Sequence, residues 1–349
     1  MEAEEYGAAE ESGDHIHSQA FLRWLRASAF PAYPFFPATN EAVRPSHTGP
    51  MPRPLPDELL KVPHRRDVPF ARLTTLGVGG LCRWLFEPTT EAEAQAFVRA
   101  CAREGLPYRV LGGGSNLVVL DDIEAPVLRL AFPKAVRREG GSLTAPANHG
   151  HIALAEAAGQ AGLSGLEFAS GIPGSLGGAI RMNAGAYGRE WIDVLARYRF
   201  LTPEGELVEK APEPGEFRYR WSFLTGGRIV LSATARLAEG DPAAIQAQVA
   251  EYRQKRGTSQ PLSRRNAGCI FKNPPGQSAG RLIDQAGLKG LRIGDAEVSP
   301  EHANFLVNHG HATTGEFAEL MATVRAKVRE LHGVDLEPEV EIWRESLGS

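Results

Sequence analysis

The sequence predicts an α+β protein built around one glycine-rich stretch, on three observations. Residues Gly165–Gly188 read GLEFASGIPGSLGGAIRMNAGAYG, with six glycines between Gly171 and Gly188 and apolar residues flanking each turn. Strand-like pieces follow at Val194–Leu201 and Glu206–Lys210, joined by a Pro-Glu-Gly turn. Helices with explicit start and stop signals lie on both sides, so helix and strand are mixed along the chain.

At 349 residues the chain has room for two or three domains of ~100–200 residues each. Its apolar share of 42% and charged share of 23% are those of a soluble globular protein. A net charge of −4 leaves no overall basic field for nucleic acid. The three cysteines, Cys82, Cys101 and Cys269, form no CxxC pair, which points to a reducing compartment, the cytoplasm, with no disulfide framework. No apolar run reaches the ~18 residues of a membrane span.

The first 57 residues read as an extension. Met1–Asp14 holds six acidic residues and no basic one, unlike a signal peptide. Phe21, Leu22, Trp24, Leu25 and Phe30 make a short apolar patch in what reads as a disordered or loosely docked leader, the alternative being a segment that meets a partner or membrane surface. Eight prolines between Pro31 and Pro56 exclude regular helix or central strand. Folded sequence is expected from about Asp67, with a turn and strand over Ala71–Phe86. Thr90 and Glu93 form a capping box for a helix that Gly105 ends. Tyr108–Leu111 is a short strand running into Gly112-Gly113-Gly114-Ser115-Asn116, and Leu117–Leu120 resumes apolar.

His149–Gly162 is alanine-rich and helical, and Arg228–Leu237 is a further strand. Asp241-Pro242 starts a helix with Ile245, Val249 and Tyr252 on one face, stopped by Gly257. Ser278 caps a helix containing Leu282, Ile283 and Gln285. Thr313 and Glu316 cap a longer one with Phe317, Leu320, Met321, Val324, Val328 and Leu331 on its apolar face, ended by Gly333.

Two separated glycine clusters suit a pyrophosphate held on backbone amides; they suit tight turns packed on a core equally well. A strand feeding a glycine cluster is a common phosphate site, but the spacing is neither GxGxxG nor GxxxxGK[ST]. Taken alone, Arg220 reads as a turn arginine, Cys269 as a small buried hydrophobe and Glu339 as an exposed charge near the C-terminus. His149, His151, His302, His309 and His311 lack metal spacing and read as structural or exposed, so no metal is predicted.

Seven segments, in order, carry a resemblance: LTTLGVGG (Leu73–Gly80), VLGGGSNL (Val110–Leu117), GIPGSLGGAIRMNAGAYG (Gly171–Gly188), YRWS (Tyr219–Ser222), NAGCIFKNP (Asn266–Pro274), LIDQAGLKG (Leu282–Gly290) and LEPEV (Leu336–Val340). Together they resemble the UDP-N-acetylenolpyruvoylglucosamine reductase (UDP-N-acetylmuramate dehydrogenase) family, over about Leu73–Trp343. The resemblance implies an FAD-binding domain of the vanillyl-alcohol oxidase type in two subdomains, residues 58–240 with 334–349 returning to it. It implies a UDP-sugar-binding α+β domain at 241–333. The chain resembles the shorter kind of member, because between Leu237 and Asp241 there is no room for the extra tyrosine loop. One departure is Leu73-Thr74-Thr75, where many members have Asn before Thr.

By the same resemblance, FAD would be lined by Thr75, Leu76, Gly77, Leu111, Gly112, Gly113, Gly114, Ser115, Asn116, Leu117, Ile172, Pro173, Gly174, Ser175, Gly178, Ala179, Asn183, Ala186, Tyr187 and Gly188. Arg220 matches the family's catalytic arginine, Cys269 its proton donor (serine in many members) and Glu339 its catalytic glutamate. Tyr219, Arg253, Lys272, Asn273 and Gln285 match substrate positions, with Arg256 and Arg264 as further diphosphate candidates. The implied activity is NADPH-dependent reduction of UDP-N-acetylglucosamine enolpyruvate through FAD in peptidoglycan synthesis, by a cytoplasmic monomer. Another flavin oxidase with the same FAD domain is disfavoured by NAGCIFKNP and Glu-Pro-Glu-Val. A non-catalytic flavin binder is disfavoured by Arg220, Cys269 and Glu339 occurring together.

Overall fold

The computed structural model describes residues 54–345; the acidic segment, the apolar patch and most of the proline-rich run lie outside the described residues. The fold begins earlier than Asp67. A one-turn helix, Asp57–Leu60, follows Pro56, and the strand His64–Pro69 comes next. Burial is the reason: Leu59 is wholly buried in a cluster with Phe86, Phe97 and Leu128, and Leu55 packs against it. The strand's polar HRRD start hides it from a hydrophobicity pattern.

That strand edges a four-stranded sheet in the order His64–Pro69, Leu81–Phe86, Val127–Leu128, Arg109–Val110, antiparallel at the first pair and parallel at the other two. Helix Glu91–Glu104 buries Phe97, Val98 and Cys101 in this cluster. It has the expected reciprocal capping box, and Gly105 ends it at φ +61°. Few residues other than glycine adopt that left-handed backbone.

A second, five-stranded antiparallel sheet runs Leu207–Lys210, Leu195–Leu201, Ile229–Arg236, Ser142–Pro146, Arg137–Glu139. Helices His151–Gln160 and Leu176–Arg181 share its core with Trp191 and Tyr198. His151 is buried between two partners: its Nδ1 meets the Ile172 carbonyl at 3.1 Å, and its Nε2 accepts from Trp191 Nε1 at 2.6 Å. Burial pulls its pKa down to about 4, so it is neutral at pH 7.

A third sheet, Arg265–Cys269, Phe305–Asn308, Ala296–Val298, Arg292–Ile293, is covered by helices Ala279–Gln285 and Thr314–His332. Its core also takes in Leu76, Val78 and Val118. The long helix buries Phe317, Leu320, Met321, Val324 and Val328, but Leu331 is exposed, one residue before the terminal His332. The last strand, Glu341–Trp343, pairs in parallel with Leu117–Val119.

Helix Pro242–Ser259 passes through Gly257 rather than stopping there. Thr258 and Ser259 donate their hydroxyls back to the Gln254 and Lys255 carbonyls, and the helix ends where Gln260, preceding Pro261, becomes extended. Ile245 and Val249 are buried, and Tyr252 turns toward Tyr187.

Candidate active site

Three segments distant in sequence meet at one corner. The first is the hairpin Phe217–Arg218/Trp221–Ser222, whose two-residue turn is Tyr219-Arg220. Arg220 has φ +54°, a conformation that strains an L side chain and clusters at functional sites. Surrounding bonds hold the hairpin in place. Ser222 Oγ donates to the Arg181 carbonyl at 2.7 Å, and Asn183 Nδ2 to the Arg218 carbonyl at 3.4 Å.

The second segment is Glu337–Val340. The Glu339 amide donates to the Ile270 carbonyl at 2.7 Å, and its own carbonyl accepts from Asn116 Nδ2 at 3.2 Å. Arg220 Nε donates to Glu339 Oε1 at 2.8 Å, and Arg220 Nη2 to the Gly185 carbonyl at 3.2 Å. Burial raises the Glu339 carboxyl above its ordinary value, against the pull of Arg220 and Lys272.

The third segment is the end of edge strand Arg265–Cys269, where a bulge breaks register between Asn266 and Cys269. A bulge re-aims the side chain that follows it. Burial pushes the Cys269 thiol up to about 12, with the Glu339 charge adding to it, while Arg220, Arg256 and the Asn304 amide act the other way. A thiol in this state holds its proton at neutral pH and is an acid rather than a nucleophile.

The two glycine clusters face each other. A Cβ on Gly113 would lie 2.7 Å from Gly174 Cα, and one on Gly112 2.7 Å from Ser175 Oγ. Ser115 Oγ donates to the Pro173 carbonyl at 3.1 Å, and the Thr75 amide to the Gly114 carbonyl at 3.0 Å. Thr75 Oγ1 also donates to the Asn266 carbonyl at 2.7 Å, tying the loops to the Cys269 strand. None of the five successive amides of Gly112–Asn116, nor those of Gly174 and Ser175, donates to a described residue. Successive unspent N–H groups are what an anion nest requires, so these loops fit a pyrophosphate.

Other predicted flavin positions shape the cradle from behind. Leu76, Leu111, Leu117 and Ala179 bury their side chains in the core. Ile172 supplies the His151 acceptor, and Ser175 caps the helix through the Gly178 amide. Asn183, fully buried, spends its side chain on Glu190, Arg218 and the Ile192 amide. Ala186, Tyr187 and Gly188 form the following hairpin, and a Cβ on Gly77 would meet Arg265. The Tyr187 ring stacks on Tyr252 at 3.9 Å between centroids, and its hydroxyl donates to the Tyr252 carbonyl at 2.9 Å.

A cleft of about 700 Å³ adjoins the hairpin tip, lined by Tyr219, Asn273, Ser278, Arg281 and Gln285 among others. Three of the predicted substrate residues thus share one cleft. Lys272 pairs with Glu337 at 2.5 Å. Arg253 is held elsewhere, on Glu156 at 2.5 Å and the Ser170 carbonyl. One helical turn on, Arg256 packs over Gly171 within electrostatic reach of Arg220 and Cys269, its Nε lacking a partner. Arg264 meets His309. Sequence reasoning missed Arg281 and Asn304; an arginine on a short helix and an asparagine in a turn carry no pattern. Among the described residues no His, Cys, Asp or Glu cluster suits a metal ion, and no helix is long and apolar enough to cross a membrane.

Comparison with known proteins adds to this geometry. Residues 260–343 match the family model for the UDP-N-acetylenolpyruvoylglucosamine reductase C-terminal domain, and residues 83–210 that for an FAD binding domain. UDP-N-acetylenolpyruvoylglucosamine reductase 2 of Symbiobacterium thermophilum is 41% identical over 80% of this chain and 92% of its own length. The reductase of Rubrobacter xylanophilus is 42% identical over 79% and 94%. A crystal structure of UDP-N-acetylenolpyruvylglucosamine reductase from Thermus caldophilus superposes with TM-score 0.71 at 42% identity, covering 80% of this chain and all of that one.

Proposed function

The chain belongs to the UDP-N-acetylenolpyruvoylglucosamine reductase family and is an FAD-dependent oxidoreductase, and from that premise we propose that it reduces UDP-N-acetylglucosamine enolpyruvate to UDP-N-acetylmuramate with NADPH, in the cytoplasm, during peptidoglycan synthesis. The observation that carries this reading is the meeting of Arg220, Glu339 and Cys269 beside the unspent amides of Gly112–Asn116.

The amides of Gly112–Asn116 and those of Gly174 and Ser175 would hold the FAD pyrophosphate, with Thr75 bracing their loop through its bonds to Gly114 and Asn266. An FAD held there would supply the hydride chemistry between NADPH and C3 of the enolpyruvyl group. The chain's own residues must then manage charge and a proton. Negative charge grows on the substrate's C2 and carboxylate as C3 is reduced. Arg220 carries a permanent charge on a planar fork and answers that charge. Glu339 on Nε and the Gly185 carbonyl on Nη2 hold the fork's orientation and leave the Nη1 N–H groups for the substrate carboxylate. Cys269 keeps its proton until C2 becomes basic, then donates it. The thiolate left behind lies within electrostatic reach of Arg220 and Arg256.

The sugar diphosphate belongs in the Tyr219–Asn273–Gln285 cleft, where Arg281 is a further cation. Arg253 has a weaker claim than Arg256, because its guanidinium is committed to Glu156. The test is product analysis by mass: the purified protein with NADPH and the enolpyruvyl sugar should form UDP-N-acetylmuramate one for one with NADPH consumed. NADPH consumption that ignores the sugar would overturn the proposal.

A further inference from the structure

Asn304 stands out among buried polar groups that no step above uses. It is 3% exposed and lies just before strand Phe305–Asn308. Its side chain forms a paired hydrogen bond with one residue's backbone: Oδ1 accepts from the Phe271 amide at 3.0 Å, and Nδ2 donates to the Phe271 carbonyl at 2.8 Å. Its own carbonyl accepts from the Ile270 amide at 2.8 Å. These bonds hold the chain immediately after Cys269, where the sheet ladder has ended at Cys269–Phe305.

The clamped segment also carries the glutamate strand. The Ile270 carbonyl accepts the Glu339 amide, the Lys272 amide donates to the Glu337 carbonyl at 2.8 Å, and Phe271 bridges Pro338. One asparagine therefore fixes the backbone unit from which both Cys269 and Glu339 project. We infer that Asn304 is a positioning residue for proton donation, setting the Cys269 thiol against the Arg220–Glu339 pair and steadying the thiolate that remains. The inference rests on the reading of Cys269 given above. Groups from four elements act on the Cys269 thiol: Glu339 on the C-terminal segment raises it, and Arg220 on the hairpin, Arg256 on helix Pro242–Ser259 and the Asn304 side chain favour the ionised form.

The test uses the FAD-loaded protein with Asn304→Ala and Asn304→Asp. The Asp side chain keeps the shape and the Phe271 amide bond but replaces the N–H donor with negative charge. Two readouts separate positioning from folding. Anaerobic stopped-flow compares flavin reduction by NADPH with reoxidation by the enolpyruvyl sugar. The pH dependence of iodoacetamide labelling reports Cys269 alone, since Cys82 and Cys101 are fully buried. Reduction by NADPH should stay within about twofold, and reoxidation should slow about ten- to a hundredfold, as for a lost hydrogen bond to a charged group. At every pH where the protein stays folded, labelling should be slower than in wild type, further for Asp than for Ala, because the thiolate fraction falls. An unmoved labelling profile, or equal loss in both half-reactions, overturns the inference. If Cys269→Ala keeps the wild-type reoxidation rate, the reading of the site fails with it; if Cys269→Ala is slow while both Asn304 variants are fast, only the positioning role fails.

Discussion

Replacing Arg220 with glycine sets two structural effects against each other. The turn has φ +54° at this position, and glycine adopts that backbone freely, so the change relieves about 1 kcal/mol of strain. It also removes the partner of a carboxylate with little water around it. The side chains of Arg220 and Glu339 keep 21% and 15% of their exposure, so the loss is set at the low end for a buried pair broken from one side, about 3 kcal/mol. The net cost is then about 2 kcal/mol wherever Glu339 is ionised. Burial already raises the Glu339 carboxyl, and losing the Arg220 charge raises it further. A carboxyl whose folded pKa is raised binds its proton more tightly in the folded state, so stability falls as pH rises through that pKa. At lower pH, where the variant's Glu339 takes up a proton, the unpaired charge disappears and the loss shrinks to the hydrogen bonds to Glu339 and the Gly185 carbonyl, about 1 kcal/mol each, partly offset by the relieved strain. Thermal unfolding at saturating FAD should give a midpoint about 5 °C below wild type at about pH 8, with the deficit narrowing as pH falls and Glu339 protonates. A variant more stable than wild type at the higher pH, or equally weakened as pH falls, would refute the reasoning.

Other expectations follow from the same geometry. Cys269→Ala should slow reoxidation of the flavin by the enolpyruvyl sugar by about 10²–10⁴-fold and leave reduction by NADPH intact, whereas Cys269→Ser should keep substantial activity; stopped-flow absorbance separates the two. Gly113→Ala puts a methyl 2.7 Å from Gly174 Cα, so the loops must part and the purified protein should carry much less FAD, read from the ratio of flavin to protein absorbance. His151, neutral and buried with pKa about 4, should make the fold acid-sensitive: the unfolded state binds the extra proton, so stability drops by up to about 3 kcal/mol as pH falls from about 6.5 to about 4, and urea titrations of His151→Asn should show a flatter slope over that window.

Much of the fold is written locally. The Thr90/Glu93 and Thr313/Glu316 boxes and their glycine stops mark both helices to within a residue, because capping is a short-range interaction. Strands Leu195–Leu201 and Ile229–Arg236 also show in the pattern, since one face of each is buried. Leu59 did not, because its burial depends on Phe97 and Leu128, which only the tertiary fold brings near. Gly257 misled because a helix tolerates an exposed glycine when Thr258 and Ser259 bond back to it. The candidate site was legible as motifs but not as a place. Nothing in the spacing says that Arg220 meets Glu339, 119 positions away. Arg253 and Arg256 are one turn apart, and which of them faces the corner depends on how the helix seats against Gly171 and Glu156. Asn304 left no trace because its work is on backbone atoms.

The most direct measurement is the visible spectrum of the FAD-loaded protein without oxygen, first with NADPH and then with UDP-N-acetylglucosamine enolpyruvate. The flavin spectrum should bleach with NADPH and return when the enolpyruvyl sugar is added. A flavin that bleaches and stays bleached would contradict the assigned acceptor, and a protein that takes up no FAD would contradict the reading of the two glycine loops.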